Sequence, residues 1–416
     1  EKEDKTIISV SAFTKLVQNI SAEVKITNSK HREALFSSEE EYNNWLEEHA
    51  KDKVKSADVK TVNGKNTFLG IDSGSTTTKI VIIDEDGKVV LRHYRNNNGN
   101  PVGAVAEGLT EIKRELEEKN ININIARTSV TGYGEDLIKA AFNMDEGIVE
   151  TMAHYRGAKA FDEKVSFILD IGGQDMKAIF IKDGIIENIE INEACSSGCG
   201  SFIETFARGM GYKVADFADI ACESVSPCDL GSRCTVFMNS KVKQSLREGS
   251  SVANISAGLA KSVTLNCFTK VLKITDTSIL GDNIVVQGGT FKNSAVLRSV
   301  EKFLNRKVIR PDISELMGAY GCALLSLDTF KVKNEKTTFI GLDNLQEAND
   351  YERRQLTCKG CENLCTVTRL KFKDSKSFYT GNKCERIFSN KGNKERKYGM
   401  DITQKKLSLL FERPLA

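Results

Sequence analysis

The fold is decided by the stretch Asp72-Ser73-Gly74-Ser75-Thr76-Thr77-Thr78-Lys79, a turn of glycine and small hydroxyl residues between two short apolar strands. The flanking segments 68–71 and 80–83 are apolar, and after Asp86-Gly87 a third strand is predicted at 88–91, giving an antiparallel meander. Glycine and small hydroxyl residues let backbone N–H groups point inward at phosphate oxygens. The stretch therefore favours an anion-binding hairpin at the head of an α/β lobe.

The same pattern returns about 98 residues later, which indicates two similar lobes. A strand at 166–169 leads into Asp170-Ile171-Gly172-Gly173-Gln174-Asp175-Met176-Lys177, and a second strand follows at 178–181. Helix 101–118 and strand 121–131 are predicted to complete the first lobe. A repeat of this length is typical of a duplicated lobe and differs from the shorter repeats of a solenoid.

The two hairpins predict a nucleotide site between the lobes. Asp72 and Asp170 would face each other across a cleft and hold a hydrated Mg²⁺, which prefers oxygen ligands. Lys79 and Lys177 would offset phosphate charge. A pair of ordinary β-hairpins is the alternative, but two copies at equivalent places favour nucleotide binding. The chain has no P-loop motif and no clear dinucleotide-binding fingerprint.

A third glycine element follows strand 283–286, where Gln287-Gly288-Gly289-Thr290 leads into a helix predicted to run from 293 to about 304. Two glycines between strand and helix allow close approach to a flat ligand such as a nucleoside. A tight turn without a ligand is an equally good interpretation. The candidate nucleotide-binding residues are therefore Gly74, Ser75, Thr76, Thr77, Lys79, Gly172, Gly173, Gly288 and Gly289.

Cys195 lies among small residues just before an apolar run with helical spacing. Phe202, Ile203, Phe206 and Met210 share one predicted helix face. At the start of a helix, the partial positive charge favours a thiolate, the form that binds metal. The alternative is a buried structural thiol, and this stretch alone does not decide between them.

Four cysteines near the end of the chain have chelating spacing: Cys358, Cys361, Cys365 and Cys384. Four thiols of this kind suit a structural Zn²⁺ or a second iron–sulfur cluster, and we expect metal binding rather than free thiols. A zinc-ribbon module for nucleic acid is disfavoured, because acidic residues lie nearby and the whole chain is almost neutral.

Composition excludes several classes of partner. The 416 residues include 59 basic and 57 acidic side chains, a net charge of +2, so no strong field calls for nucleic acid or a membrane surface. Apolar runs are too short to span a bilayer. Eleven cysteines without an export signal predict a reducing, cytoplasmic location.

The motifs together resemble those of the actin, Hsp70 and sugar-kinase ATPase fold, with two ribonuclease-H-like lobes. Within that fold the chain is similar to the ATP-dependent activators of 2-hydroxyacyl-CoA dehydratases, grouped with the ATPase subunits of benzoyl-CoA reductase. The family's cluster motif aligns with Asn192 to Gly200, and its second cysteine matches Cys234-Thr235-Val236-Phe237. Glu150 and His154 resemble the family's Glu-x-x-x-His pair. The resemblance covers about residues 67–327.

The resemblance implies ATP/ADP and Mg²⁺ between the lobes, with Asp72, Asp170 and Gln174 as the catalytic candidates. It also implies a homodimer that shares one [4Fe–4S] cluster through Cys195 and Cys234. A cubane takes four thiolates, and a two-fold axis doubles the two that one subunit offers. The expected partners are an iron–sulfur acceptor such as a dehydratase and a low-potential donor such as ferredoxin or flavodoxin.

One departure from the family pattern lies beside the cluster motif. Cys199 replaces a threonine and adds a thiol four residues after Cys195. We interpret Cys199 as a small core residue, because the ligand pair is present without it.

Four segments are expected. They are an N-terminal extension (1–66), ATPase lobe I (67–165), ATPase lobe II with the cluster cysteines (166–330, its helix 314–327 packing between the lobes), and a Cys-rich tail (331–416). The tail resembles the extra segment of large fused activator-like proteins, so we expect the chain to be a piece of a longer one. Two other functions stay open: a small-molecule kinase of the same fold, and a metal-stabilised scaffolding ATPase.

Overall fold

The structure, a computed structural model, describes residues 33–193, 196–372, 377–390 and 402–411. Cys195 lies outside the described residues, so the expectation that it sits at a loop-to-helix junction stays a prediction. The described part is mixed α/β, with one sheet in each predicted lobe and a third in the tail. None of the helices within these ranges has the length and apolarity that crossing a bilayer requires.

Helix α1, Glu39–His49, packs against lobe II. Ser38 caps it, because its Oγ accepts from the Glu41 N–H at 3.1 Å. The Glu41 carboxylate accepts from Ser37 N at 2.7 Å. Trp45 is buried in the lobe II core, while Ala57 N donates to Val89 O of lobe I. The extension therefore contacts both lobes.

Lobe I contains a five-stranded sheet in the order β3-β2-β1-β4-β5. The predicted antiparallel meander is present, and β4 then joins β1 in parallel. The strands are β1 Asn66–Ser73, β2 Thr77–Ile83, β3 Val89–Asn96, β4 Asn124–Thr131 and β5 Glu146–Gly147. The helices are α2 Pro101–Glu118, α3 Glu135–Phe142 and α4 Glu150–Lys159.

Lobe II repeats the arrangement in a four-stranded sheet of order β8-β7-β6-β9. Its strands are β6 Phe167–Ile171, β7 Met176–Lys182, β8 Ile185–Asn192 and β9 Ile284–Gln287. Its helices are α5 Gly200–Gly209, α6 Val214–Cys222, α7 Thr235–Arg247, α8 Val252–Leu265 and α9 Ser294–Leu304. Helix α8 continues directly into a π-helix, Asn266–Val271.

The strand registers place the two hairpin aspartates at equivalent positions. Asp72 lies opposite Lys79 on β2 and beside Thr131 on the parallel strand β4. Asp170 lies opposite Lys177 on β7 and beside Gln287 on the parallel strand β9. The repeat read from the sequence is therefore a repeat of backbone pairing.

The small-residue helix returns to lobe I. A 3-10 turn, Ser314–Leu316, leads into α10, Met317–Lys333, which packs on β1 and α4. A Cβ at Gly321 would lie 1.8 Å from the Ala153 oxygen, so only glycine permits this approach. The expectation was a helix packing between the lobes, and its main contacts are within lobe I. The segment boundaries stay predictions.

The tail adds α11 Leu345–Asn349 and an antiparallel sheet of β10 Tyr351–Thr357, β11 Thr366–Phe372 and β12 Ser377–Thr380, followed by α12 Ile402–Phe411. Leu370, Phe372 and Phe378 share an apolar core with Ile112 and Leu116 of α2. The tail sheet is thereby anchored on lobe I.

Candidate functional site

The lobe I hairpin pairs one lysine with one aspartate. Lys79 Nζ lies 3.0 Å from Asp72 Oδ2, and Asp72 is almost fully buried. Burial would lower the pKa of Lys79, but the Asp72 carboxylate outweighs it and Asp170 adds to the effect, so the pKa is raised. Within the described residues, Asp72 Oδ1 is buried without a hydrogen-bond partner. A free carboxylate oxygen at this place fits a hydrated Mg²⁺.

The lobe II hairpin surrounds its lysine with carboxylates. Lys177 Nζ contacts Asp175, lies 3.2 Å from Glu150 and lies 4.0 Å from Asp170. Burial opposes charge on Lys177, yet these carboxylates raise its pKa well above its ordinary value. Burial also raises the pKa of Asp170, partly countered by His154 and Lys177. The equivalent lysines therefore have different surroundings.

His154 connects this network to strand β9. Its Nδ1 lies 2.6 Å from Gln287 Oε1, and Gln287 Nε2 donates to the His154 backbone oxygen at 3.1 Å. Its Nε2 lies 3.7 Å from both Glu150 and Asp170. Burial would lower the pKa of His154, but Asp170 and Glu150 raise it to about 9. The Glu150/His154 pair was predicted only from the family resemblance, and no sequence signal pointed to Gln287 as its partner.

Two glycines with positive φ pack against the two aspartates. Gly132 has φ +89° and Gly288 has φ +91°. A Cβ added at Gly132 would lie 2.7 Å from Asp72 Oδ1, and one added at Gly288 would lie 2.8 Å from Asp170 Oδ1. Both the backbone conformation and the space require glycine. Gly132 was not singled out from the sequence, although its place after a strand paired with β1 mirrors that of Gly288.

The tips of the two hairpins are accessible, and side chains outside the hairpins donate hydrogen bonds to their backbone oxygens. Gly74 O accepts from Asn97 Nδ2 at 2.8 Å, and Gly172 O accepts from Thr290 Oγ1 at 3.0 Å. The predicted phosphate-contacting residues Ser75, Thr76 and Gly173 are exposed, as is the catalytic candidate Gln174, while Gly74, Thr77 and Gly172 are partly buried. Gly289 begins a 3-10 turn, Gly289–Lys292, ahead of α9. The arrangement leaves both tips accessible to an anion.

Cys234 is exposed and occupies the N-cap position of α7, without a capping hydrogen bond from its side chain. The next residues of its motif, Val236 and Phe237, are also exposed, at 77% and 66%. The residue before it, Arg233, offers its backbone oxygen to Asn266 Nδ2 at 3.2 Å. The same nitrogen donates to Ser197 O at 3.1 Å. The loop just after Cys195 and the loop just before Cys234 therefore meet at one side chain.

Cys199 lies in the lobe II core and is fully buried, beside α5, which begins at Gly200. Cys267 is also fully buried, and its Sγ lies 3.1 Å from Met176 Sδ. Burial, with a smaller contribution from Cys199, raises the pKa of Cys267 well above its ordinary value, so it is a neutral thiol.

The tail cysteines lie at one end of the tail sheet. Cys358 N donates to Cys365 O at 2.8 Å across the β10–β11 turn. A Cβ at Gly360 would lie 2.5 Å from Ile387 and 3.6 Å from Cys358 Sγ, so the segment after Cys384 reaches this turn. Within the ranges that the structure describes, no three potential ligands are gathered closely enough for a metal ion. Metal binding by Cys358, Cys361, Cys365 and Cys384 stays a prediction.

Characterised relatives share the part of the chain that holds this site. The chain is 30% identical over 256 residues to the (R)-2-hydroxyglutaryl-CoA dehydratase activating ATPase of Acidaminococcus fermentans, covering 62% of this chain and 95% of that protein. It is 31% identical over 269 residues to the 2-hydroxyisocaproyl-CoA dehydratase activator of Clostridioides difficile, covering 63% and 96%.

The fold agrees with these relatives. The solved structure of the Clostridium difficile activator of 2-hydroxyisocaproyl-CoA dehydratase, with bound ADPNP, matches with a TM-score of 0.56 at 28% identity, covering 66% of this chain and 99% of that one. The predicted actin/Hsp70/sugar-kinase-like fold is confirmed. Residues 69–326 match the family model described as the BadF/BadG/BcrA/BcrD ATPase family, and the chain belongs to that family.

Proposed function

We propose that this chain is an ATP-dependent electron donor, an activase, which couples ATP hydrolysis to one-electron transfer into a partner iron–sulfur enzyme such as a 2-hydroxyacyl-CoA dehydratase. The observation that carries the proposal is the meeting of two loops at Asn266, one following Cys195 and the other preceding Cys234. The relatives described as dehydratase activators support the partner class.

The nucleotide would bind between the two hairpins. Backbone N–H groups and hydroxyls at the open tips would contact phosphate oxygens, and Lys79 and Lys177 would balance their charge. The unpartnered Asp72 oxygen would accept a hydrogen bond from the water shell of Mg²⁺, with Asp170 facing it from the other lobe. Gln174, exposed at the lobe II tip, would orient the attacking water.

Four thiolates from two copies of this chain would hold a [4Fe–4S] cluster, Cys195 and Cys234 from each. When bound, the cluster supplies one-electron chemistry at low potential. Cys234 fits this use, because its thiol is exposed at the N-terminus of α7, where a metal and a second copy of the chain can reach it. The exposed Val236 and Phe237 beside it fit a surface that a second copy covers.

Nucleotide binding would reach the cysteines through lobe II. Both the Gly288–Gly289 turn and the cysteine loops lie in that lobe, so a change in the angle between the lobes would move them together. Such a movement would change the exposure and hydrogen bonding of the bound cluster, which set its potential. ATP hydrolysis would then make the electron transfer effectively one-way.

An anaerobic preparation tests the proposal. Purified chain should be brown and dimeric, with about four irons per dimer at the Cys195/Cys234 site. Cys195→Ala and Cys234→Ala should each lose the iron, whereas Cys228→Ala, a control in the loop before Cys234, should keep it. Colourless protein that phosphorylates a small alcohol would establish the kinase instead. Iron-free protein with ATPase activity alone would favour the scaffolding ATPase.

We propose separately that the tail cysteines bind Zn²⁺ or an iron–sulfur cluster. The support is their spacing and the return of the segment after Cys384 to the β10–β11 turn. Metal analysis of the Cys195→Ala/Cys234→Ala double variant isolates this site. About one zinc per chain would indicate a structural ion, iron would indicate a second cluster, and no metal would contradict the proposal.

A further inference from the structure

The side chain of Asn266 is in contact with both loops that lead to the proposed cluster ligands. Its Nδ2 donates to Ser197 O at 3.1 Å and to Arg233 O at 3.2 Å. Ser197 comes two residues after Cys195 in the sequence, and Arg233 directly precedes Cys234. The two carbonyl oxygens can be no further apart than the combined length of these two bonds.

The surroundings of Asn266 are buried and closely packed. Asn266 is 2% exposed and is the first residue of the π-helix Asn266–Val271. Single π-helical turns within helices occur frequently at functional sites. A Cβ at Gly198 would lie 3.7 Å from the Cys267 Cα, so the turn containing Ser197 rests directly on this π-helix.

The chemistry of an asparagine amide suits the contact. The NH₂ group carries two hydrogens and can serve two acceptors at once. Loss of the amide would leave both backbone oxygens without this donor, in a region that excludes water at Ser197. A carboxylate in the same position would turn a donor into an acceptor and repel both oxygens.

We propose that Asn266 is a positioning residue that holds the two cysteine loops of one subunit together before any cluster is bound. The proposal rests on the proposed cluster ligands Cys195 and Cys234. Asn266 would act through the backbone oxygens of Ser197 and Arg233, which lie close in sequence to the proposed ligands. Groups that orient metal ligands typically change metal affinity by about 10–100-fold when removed.

Ser262 offers a matched control on the same helix. Its Oγ donates to Gly231 O at 2.5 Å, so it anchors the loop before Cys234 alone. Ser262→Ala therefore removes one anchor of one loop, while Asn266→Asp removes the link between two loops.

The test uses the full chain without metal, kept reduced, and a short bis-maleimide as the probe. Intrachain cross-linking of Cys195 to Cys234 is followed by peptide mass mapping, and cross-linked dimers are separated by size. Wild type and Ser262→Ala should cross-link rapidly. Asn266→Asp should cross-link about tenfold more slowly and need 10–100-fold more free iron for reconstitution.

Asn266→Ser is measured in parallel in case Asn266→Asp does not fold. Serine keeps a donor for at most one carbonyl oxygen. The cross-linking rate of Asn266→Ser should therefore lie between those of wild type and Asn266→Asp. Cross-linking of folded Asn266→Asp or Asn266→Ser at the wild-type rate would overturn the proposal. Wild type that cross-links rapidly but takes up no iron would contradict the cluster, while the effect of Asn266 on cross-linking would still stand.

Discussion

The two lobes share one backbone plan and differ in the charges around it. In lobe I, Lys79 has one carboxylate partner, Asp72, whose second oxygen has no partner among the described residues. In lobe II, the equivalent Lys177 contacts Asp170, Glu150 and Asp175.

The difference arises from a helix of lobe I. Glu150 and His154 both lie on α4, which precedes lobe II in the chain and reaches Lys177 and Gln287. Lobe I has an aspartate oxygen available for a metal-bound water, whereas the lobe II charges are already engaged with one another. The two hairpins therefore form two different half-sites, because the α4 side chains that surround the lobe II hairpin have no counterpart around the lobe I hairpin among the described residues.

Removal of the two hairpin lysines should give the largest difference in stability between the lobes. Lys177→Met leaves three carboxylates facing one another and should lower the free energy of unfolding by about 4 kcal/mol. Lys79→Met leaves one carboxylate, and about 2 kcal/mol is expected. Denaturant unfolding with matched m-values measures both. Equal losses would show that the extra carboxylates of lobe II do not depend on Lys177.

Substitution of the two glycines that pack on the aspartates, Gly288 and Gly132, should give an intermediate difference in stability between the lobes. In Gly288→Ala the new Cβ would meet the Ile171 backbone oxygen at 2.2 Å, and in Gly132→Ala the Ser73 oxygen at 2.7 Å. We expect losses of about 3 and 2 kcal/mol, with weaker ATP binding in both.

Gly64→Ala provides the control for these variants. Gly64 has φ +72° and no atom within 4 Å of a new Cβ, so it should cost only backbone strain of about 1 kcal/mol. Unfolding and ATP titration calorimetry measure the series. If Gly288→Ala loses no more unfolding free energy than Gly64→Ala, the crowded turn at Gly288 can relax to accommodate a Cβ.

The pH dependence of stability should give the smallest contrast. The folded pKa of His154, about 9, lies above its ordinary value of 6.5 because Asp170 and Glu150 outweigh burial. The stabilisation that protonated His154 provides is therefore complete below pH 6.5 and is lost as the pH rises through about 9.

His154→Gln should flatten that decline in a series of unfolding curves between pH 6 and 10. His93→Gln is the control, because burial lowers the pKa of His93 and its contribution falls at lower pH. An unchanged decline in His154→Gln would place its origin in another group of the lobe II network.

The duplication could be predicted from the amino-acid sequence. Asp72 and Asp170, each followed by glycine and then lysine at the same spacing, predicted two similar hairpins, because strand pairing and turn chemistry depend on neighbouring residues. The glycine pair 288–289 and the cysteine motifs led to the right family for the same reason.

Which distant groups surround those motifs depends on the tertiary packing. Glu150 and His154 reach lobe II, Gly132 packs on Asp72, and Asn266 joins two loops that are far apart in the chain. None of these contacts has a local signature, because each depends on how whole elements pack. The sequence thus determined the repeated hairpin, and the packing around it made the two copies unequal.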